Sequence, residues 1–460
     1  MTRYLSSIGY VSEPTDTPAN THYAARISGG FSFSRSLNVT GSGGDISFGD
    51  LELDNTDGAL DAWLADIWAM RRIKLWMGSA TWPKSQFVQV FSGTVEDVAP
   101  KDRYHLSLKL RDVLAPLNTQ ISTAVVGGTG DDKSTLLPIA LGEVFNVEPL
   151  LLSTTGAQVY RVSLGAVEDV IEVRDNGYPV SVTKNASAGT CTLANQRYGQ
   201  ITCDVQGAKA SGSYRTDVGG LIEWVATALG DGAKLDASAI DATALSAFRA
   251  AHPQPIGLWI PDRANRLETM QQIASSIGAT VTATPLGAVR IIQLAFGTPT
   301  RAVGPAQMVD GTFAPAGRPK IQGAIQLAGC RNWTPQGKSL LAASIATASL
   351  PILEDEWIYS TASDATVAAD YRQTTSPEPV ETLLVSETDL AAEAARRLAL
   401  WKVPRTVFKF DAYADLLDLE LGDTINLTHP RLGLSGGSVA LVVGLETDYV
   451  EGRVSVEVLV

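Results

Sequence analysis

The chain has 460 residues, of which 45% are apolar and 18% charged, and its net charge is −13. These values exclude a largely disordered chain, and the length predicts roughly three or four domains. The negative charge disfavours nonspecific binding to nucleic acid, which needs Lys and Arg on the phosphates. No apolar run approaches the ~18 residues that span a bilayer, and the N-terminal MTRYLSSIGYVSEP has no apolar block. We therefore expect neither a membrane-spanning segment nor a signal peptide.

Strand patterns dominate the first 210 residues. The segment 87–110 ends in an alternating strand after the turn-like VAPKDR, and 157–207 continues with short strands around an Asn176-Gly177 turn. We predict an N-terminal β domain at 1–122 and an inserted small β domain at 123–210. The three cysteines, Cys191, Cys203 and Cys330, are too few for a disulfide framework. Cys191 and Cys203 either face each other across a hairpin or are two free buried thiols.

The middle of the chain predicts helices. Asp217 is expected to cap one helix, and Asn265 caps a second in a capping-box relation with Glu268. Gly278 marks the end of this second helix, and the hairpin TVTATPLGAVRIIQL follows. We interpret 211–300 as a mixed α/β domain.

The last third returns to strands around one strong helix, predicted at 389–402, in which Glu393 and Arg397 can pair at i, i+4. Strands are then predicted at VFKFDAY, LDLEL, TINLTH, SVALVVGL and RVSVEVLV. We interpret 301–460 as a C-terminal β-barrel-like domain. The fold class is therefore mainly β with α+β parts: two small antiparallel β-barrel-like domains plus inserted β and α/β domains.

The stretch LGDTINLTHPRLGLSGG combines an acid, a base and a nucleophile: Asp423, His429 and Ser435, the last within G-x-S-x-G. A nucleophile elbow needs a strand, a sharp turn and a helix, whereas the residues after Ser435 alternate like a strand. We therefore interpret the stretch as a loop between two strands.

Two other motifs fail on spacing or context. GGTGDDKST at 127–135 has Asp132 where a phosphate-binding loop needs Gly before its Lys. The aspartates at Asp54, Asp57 and Asp61 do not follow the spacing of a calcium loop. We expect Asp57 to form an Asx turn and cap a short helix, with weak calcium binding as the alternative.

A carboxylate cluster at Glu354, Asp355 and Glu356 is the remaining catalytic candidate. An acidic cluster is usually a solvated face, no second carboxylate can be assigned from the sequence, and the chain has no H-E-x-x-H or C-x-x-C motif and only four histidines. We therefore predict no catalytic, cofactor-binding or metal-binding residues and no cofactor.

Several stretches resemble one family when they are taken in chain order. They are FGDLELDNTDGALDAWL, RRIKLWMG and VFSGTVEDV near the N-terminus, LPIALGEVFNVEPLLL and PIGLWIPDRANRLETMQQIASSIGA in the middle, and GCRNWTPQ, AAEAARRLAL and LELGDTINLTHPRLGLSGG near the C-terminus. Together they resemble the baseplate hub and tail-tip proteins of long-tailed bacteriophages and tail-derived particles. The likeness covers most of the chain, although each piece is mainly a hydrophobic pattern.

The resemblance implies a structural protein of the virion tail tip or baseplate, assembled in the host cytoplasm. It implies a homotrimeric ring that closes the tail tube and adapts its six-fold symmetry to a three-fold tip. The implied neighbours are distal tail and tail tube proteins, the tape-measure protein and other tip or fibre proteins, with DNA only in transit. Two alternatives stay open: a virion-associated cell-wall hydrolase, and a carbohydrate-binding tail-tip protein whose tryptophans stack on sugars.

Two further expectations concern assembly. The net charge of −13 predicts a channel wall that is neutral to acidic, because a basic lumen would bind the phosphates of passing DNA. The segments 90–110 and 441–459 also echo each other, each with a glycine (Gly93, Gly444), an acidic turn, an arginine (Arg103, Arg453) and an alternating strand. Either any two hairpins look like this, or the two ends of the chain form similar β domains.

Overall fold

The computed structural model describes residues 2–29, 31–37, 39, 48–128, 133–153, 156–210, 212–346, 349–373, 376–449 and 451–460. Strands and antiparallel sheets dominate, with a few helices, which confirms the mainly β class. The strands of the first third are β1 Leu5–Ser6, β2 Tyr10–Val11, β3 His22–Ala25, β4 Ser32–Ser36, β5 Phe48–Asp54, β6 Arg72–Met77, β7 Val88–Pro100 and β8 His105–Arg111. The next group is β9 Ile139–Val147, β10 Leu150–Ser153, β11 Val159–Arg161, β12 Val167–Asp175, β13 Tyr178–Pro179, β14 Val182–Asn185, β15 Thr190–Leu193, β16 Ile201–Ala210 and β17 Ser213–Tyr214.

The α-helices and the remaining strands follow from residue 218 onwards. The first of them are α1 Val218–Thr227, α2 Ala242–Ala251, β18 Gly257–Ile260, α3 Arg266–Ser275, β19 Ala279–Ala283 and β20 Val289–Gln293. The last group is β21 Arg301–Val303, β22 Ala314–Gly317, β23 Ala324–Gly329, α4 Leu350–Glu354, β24 Ile358–Ser363, α5 Ala365–Asp370, β25 Val380–Glu381, α6 Glu387–Trp401, β26 Val407–Ala412, β27 Thr424–Leu427, β28 Ser438–Asp448 and β29 Arg453–Leu459.

One 11-stranded sheet contains strands from both ends of the chain. Its order is β22-β26-β29-β28-β4-β5-β8-β7-β6, with β27 also on β28 and β21 on β27. Two apolar cores lie along this sheet, one built around Phe33, Phe91 and Leu110 and the other around Phe410, Ile425 and Val456. Among the described residues no sheet closes on itself, so neither expected β-barrel-like domain is a closed barrel.

The inserted β region consists of two sheets around a separate core. Strands β13-β12-β16-β9-β18 form one sheet, and β10-β11-β15-β14 form the other. The Asn176-Gly177 turn lies at the end of β12, where both residues have positive φ as a type I′ turn requires. Cys191 lies on β15 and Cys203 on β16, so they do not face each other across one hairpin. Both thiols are free and buried, and burial raises the pKa of Cys191 to about 11.

The predicted helices form at the expected places. Asp217 caps α1 by accepting the Gly220 N–H, and Asn265 caps α3 by accepting the Glu268 N–H. The helix predicted at 389–402 is α6, which begins two residues earlier because Ser386 caps it. Leu390, Ala394 and Leu398 on its apolar face pack into the core of α1, α3 and β18, while Trp401 also contacts the cluster of Leu441, Val443 and Leu459 on the C-terminal strands. The stretch LDLEL at 417–421 was expected as a strand and is instead an irregular turn after a 3-10 helix at Ala414–Leu416, with Leu419 and Leu421 buried and Leu417 half-buried.

A buried carboxylate ties α6 to the end of α3. Glu393 accepts hydrogen bonds from Arg396 Nε at 2.7 Å and Arg397 Nε at 2.6 Å. The two guanidinium groups in turn donate to the Ile277 and Ser275 carbonyl oxygens, which end α3. Burial alone would raise the pKa of Glu393, but the two arginines outweigh it and lower the pKa.

We predict that Glu393→Gln destabilises the protein at pH 7 by about 1–3 kcal/mol, because two partly buried guanidinium groups lose their buried carboxylate. Folding lowers the pKa of Glu393, so its ionised carboxylate contributes fully to the free energy of unfolding above pH 4.5, the ordinary pKa. This contribution is lost as the pH falls through the lower pKa of the folded state. The difference between wild type and variant in urea unfolding should therefore narrow below about pH 4.5. Glu387→Gln, at an exposed position of the same helix, is the control. A difference that stays constant with pH would contradict this assignment.

A buried arginine, Arg266, binds the carbonyl groups at the end of α1. The Arg266 side chain is fully buried and donates to the carbonyl oxygens of Val225, Leu229 and Ile121. Val225 and Leu229 lie at the end of α1, where carbonyl groups have no partner within the helix. Arg266 therefore caps α1 and joins it to the 115–123 segment.

We predict that Arg266→Met lowers the free energy of unfolding by about 1–3 kcal/mol, because three buried carbonyl groups lose their donor. Arg263→Met, at an exposed position three residues earlier, should change it by less than ~0.5 kcal/mol. Urea unfolding of the two variants side by side is the measurement. Equal midpoints would show that Arg266 is not needed for the stability of α1.

Candidate functional site

The two ends of the chain form β units with the same strand order. The N-terminal unit consists of β4–β8, paired in the order β4-β5-β8-β7-β6. The C-terminal unit consists of β22 and β26–β29, paired in the order β22-β26-β29-β28-β27. Every neighbouring pair within each unit is antiparallel. Each strand of one unit therefore has one counterpart in the other, from β4 with β22 to β8 with β29.

The register of the strands repeats as well. A β-bulge interrupts β7 between Val95 and Asp97, and a bulge interrupts β28 between Val442 and Gly444. Before the bulge Val95 lies opposite Leu110, as Val442 lies opposite Val458. The bulges place Val95 and Val442 at equivalent positions, and the equivalence fixes the counterpart of every residue along these strands.

Contacts outside the ladders repeat in the same register. In each unit a residue with left-handed φ precedes the strand that pairs with the bulged strand: Met70 at 64° and Gly422 at 85°. In the N-terminal unit the Met70 N–H donates to Val95 O at 2.9 Å, and the Val95 N–H donates to Arg71 O at 2.8 Å. The same two hydrogen bonds occur in the C-terminal unit, from the Gly422 N–H to Val442 O at 2.9 Å and from the Val442 N–H to Asp423 O at 2.8 Å. An isolated bridge from Ile27 to Leu53 likewise corresponds to the bridge from Met308 to Ala412.

The expected echo between 90–110 and 441–459 involves the correct hairpins, β7–β8 and β28–β29. Its alignment of the letters is wrong by four residues. Gly93 lies opposite Ile73 as Ala440 lies opposite Ile425, so the counterpart of Gly93 is Ala440. Gly444 corresponds to Asp97 after the bulge. The two glycines occupy different positions and only look equivalent in the sequence.

The two units join where β28 pairs with β4. Residues 438–441 of β28 pair with β27, and residues 444–448 pair with β4 on the same side. The register sets Gly444 opposite Ser36 and Thr447 opposite Phe33, and the Leu37 N–H donates to the Val443 carbonyl oxygen at 2.7 Å. We refer to this pairing of β28 with β4 as the in-chain junction.

Buried side chains reinforce the in-chain junction. Arg35 on β4 has a side chain only 3% exposed and donates to Glu420 Oε2 at 2.5 Å. Phe31 stacks on Tyr449 at 5.7 Å, across the same pairing. Sequence analysis missed Arg35, although a lone arginine in the alternating FSFSRSL is a signal for a buried charge that needs a partner.

The three residues of the suspected hydrolase motif lie on one loop and make separate contacts. Asp423 Oδ2 accepts the Glu420 N–H at 2.9 Å, as expected for a tight turn. His429 stacks on Phe313 with ring centroids 4.2 Å apart, and its Nδ1 accepts the Arg431 N–H. Ser435 lies exposed in the loop between β27 and β28, and the next element is a strand rather than a helix. The structure therefore does not bring these side chains together as a triad.

The acidic candidates also engage other groups. Glu356 pairs with Arg331 at 2.7 Å, Glu354 lies 3.7 Å from Lys338 Nζ, and Asp355 is exposed. Asp57 accepts from Arg26 at 2.7 Å and from the Ala59 N–H, and the Arg26 hydrogen bond lowers the pKa of Asp57 to about 2.

The expected cap at Asp57 is wrong. A 3-10 helix at Asp61–Ala65 begins after Leu60 without a side-chain cap, while Asp57 keeps the expected Asx turn. Asp54 accepts from the Thr56 N–H, and Asp61 accepts from Asn55. Residues 129–132 of the suspected phosphate loop lie outside the described residues.

The described residues contain neither a candidate metal site nor a candidate membrane-spanning helix. No group of three or more His, Cys, Asp or Glu side chains within them is arranged to hold a metal ion. Likewise, no helix within the described part of the chain is both long enough and apolar enough to cross a membrane.

Comparison with solved structures finds likeness in fold at low identity. A tail protein from Neisseria meningitidis MC58 matches with a TM-score of 0.40 and 9% identity over 94% of this chain and 91% of that one. A chain of the native gene transfer agent virion matches with a TM-score of 0.46 and 13% identity over 73% and 87%. The protein is structurally similar to phage tail proteins. A prophage tail protein from Listeria monocytogenes EGD-e also matches, with a TM-score of 0.38 and 8% identity over 98% and 94%. No family model and no curated protein matches the sequence.

We predict that Glu420→Gln weakens the in-chain junction, because the buried Arg35 guanidinium loses its carboxylate. Such a change costs about 1.5–3 kcal/mol for a charged hydrogen bond. Glu446→Gln, on the exposed side of β28, is the control. Hydrogen exchange of the β4 and β28 amides measures the effect locally. Unchanged exchange in β4 would contradict a role of this ion pair in the junction.

Proposed function

We propose that this protein is a structural component of a phage tail tip or baseplate that forms a trimeric hub ring on the tail tube. The observation that carries the proposal is the pair of equivalent β units within one chain. Three chains present six such units, so a trimer offers six similar contacts to a six-fold tube while its other parts follow three-fold symmetry. A closed ring needs equivalent contacts at each position, and a repeated unit supplies them.

The remaining regions support a structural role by the way they are built. The inserted sheets and most of the mixed α/β core lie in the chain between β8 and β21, and the rest of that core, from β23 to α6, lies between β22 and β26 of the second unit. They can therefore project from a ring without interrupting it. The resemblance of the sequence to tail-tip and hub proteins points in the same direction. In this proposal the neighbours are tail tube, tape-measure and other tip proteins, and DNA passes through a channel with a neutral to acidic wall.

The repeated units also weigh against the hydrolase alternative. A zymogram on cell walls tests that alternative directly, and we expect no clearing by the purified protein. Clearing that disappears in Glu354→Gln or Asp355→Asn would favour the hydrolase instead.

Counting and locating the protein in the assembled particle tests the proposal. We expect three copies per particle by quantitative mass spectrometry, against multiples of six for the tube protein. A peptide tag at an exposed turn, such as Gly311 between β21 and β22, should carry gold label to one end of the tail. One copy or six copies would contradict the trimeric hub, and label along the whole tube would contradict a tip location.

A further inference from the structure

Each unit has one strand edge that lacks a partner strand among the described residues and that occupies a position paired in the in-chain junction; the outer edges of β6 and β21 are also unpaired. In the N-terminal unit this edge is residues 96–100 of β7, beyond the end of β6. In the C-terminal unit it is the outer edge of β22, which pairs only with β26. Since β7 corresponds to β28 and β22 corresponds to β4, these are the two edges that the in-chain junction joins elsewhere in the same molecule.

We infer that β7 of one copy receives β22 of a second copy in the register of the in-chain junction. This inference rests on the proposed function and adds to it the contact between copies. The contact is head-to-tail, since it joins different edges of the two copies, and such contacts generate a ring when the rotation closes. We refer to it as the between-chain junction.

The register of the between-chain junction follows from the equivalences. Ser34 lies opposite Phe48 as Gly317 lies opposite Val407, so Gly317 corresponds to Ser34. Because Glu446 lies opposite Ser34 in the in-chain junction, Ala99 is expected opposite Gly317 of the other copy. Two residues further along, Asp97 is expected opposite Pro319.

Charges on the two edges are complementary in this register. The β7 edge carries exposed Glu96 and Asp97, and the segment after β22 carries exposed Arg318 and Lys320. In the same register Glu96 would lie directly opposite Lys320 of the neighbouring copy, the position at which Val443 lies opposite Leu37 in the in-chain junction. In a chain with a net charge of −13, a basic segment at one free edge and an acidic one at the other favour a second copy of this chain as the partner.

Two prolines distinguish the between-chain junction from the in-chain one. The Leu37 hydrogen bond to Val443 fixes the alternation along β4, which makes Phe33 and Thr447 a hydrogen-bonded pair. A bulge at Ala316 separates Pro315 from Gly317 in β22, so the counterpart of Phe33 is Pro315 although that of Ser34 is Gly317. The counterpart of Thr447 is Pro100, and both prolines are exposed.

The between-chain junction therefore lacks both N–H donors at this position. Proline is found on free edges because it hinders pairing with unintended strands. The two prolines keep isolated copies apart until other contacts of the assembly hold them together.

Engineered disulfides test the register. Ala99 and Gly317 correspond to a non-hydrogen-bonded pair, in which Cα atoms lie about 4.5 Å apart and a disulfide can form. In assembled particles, or in concentrated protein, Ala99→Cys with Gly317→Cys should give covalent dimers and trimers on nonreducing gels. Each single variant and the pair Ala99→Cys with Ala302→Cys, which uses the free edge of β21, should not. No cross-link in Ala99→Cys/Gly317→Cys, or equal cross-linking in the β21 control, overturns the inference.

Restoring the missing donors is the second test. Pro100→Thr with Pro315→Phe reproduces the Phe33–Thr447 pair, and the added hydrogen bonds should tighten self-association roughly tenfold or more. Light scattering across a concentration series measures this, with circular dichroism to show that the variant folds. Glu96→Lys in this background should reverse the gain, and Lys320→Glu together with Glu96→Lys should recover it. Asp355→Lys, at an exposed position away from both edges, should leave the association unchanged.

The outcomes separate the junction from the function. Three copies at the tail tip with no cross-link at positions 99 and 317 would overturn the between-chain junction and leave the hub in place. Cross-linked trimers of a protein that is absent from the tail tip would support the junction and overturn the hub.

Discussion

The pairing of β4 with β28 is the contact on which the rest of the architecture depends. It joins residues 32–36 to residues 444–448, so the first unit and the last unit become one sheet. Phe33 and Leu37 lie on this stretch of chain and enter different cores, one in each unit. The junction therefore fixes the angle and distance between two otherwise independent β units. The chain leaves this sheet after β8 and returns at β21, and it leaves again after β22 and returns at β26.

The inserted regions solve a different physical problem, which is how to end short helices inside a core. Arg266 donates to the carbonyl groups at the end of α1, and Arg396 and Arg397 donate to those at the end of α3. A cation suits a helix C-terminus because the backbone dipoles leave partial negative charge there. Arg396 and Arg397 also share a carboxylate, Glu393, whereas the hydrogen bonds described for the Arg266 side chain are all to carbonyl groups. The core thus uses positive side chains where glycine or water would serve at a surface.

Much of the local structure could be predicted from the sequence, because it depends on neighbouring residues. Alternating apolar residues predicted β8 and β29, and Asn176-Gly177 predicted a turn. The capping residues Asp217 and Asn265 predicted the starts of α1 and α3. Where local signals compete, the prediction failed. LDLEL alternates like a strand, yet its leucines pack into the C-terminal core from an irregular turn, and Asp57 is held by Arg26 instead of capping a helix.

Long-range pairing was beyond the sequence signal. The letters of the two β units suggested a repeat, but glycines that look alike in sequence led to a wrong alignment, since neither Gly93 nor Gly444 marks the bulge on its own. The equivalence of Pro100 and Pro315 to a hydrogen-bonded pair also depends on registers that no single strand contains. The suspected triad shows the converse, because three residues close in sequence make contacts that point in different directions.

The in-chain junction also orders events during synthesis of the chain. Strand β4 emerges from the ribosome about four hundred residues before its partner β28, and contacts of such long sequence separation form late and slowly. The inserted sheets and the mixed core have all of their central strands and helices, apart from β23 and α6, before residue 300, so they can fold while the first β unit waits with one edge open. Strands β28 and β29 then complete the C-terminal unit, and β28 also pairs with the open edge of β4. If synthesis stops before β28, both β4 and β26 keep an unpaired edge. The sheet that joins the two units therefore forms only in chains that include the final strands.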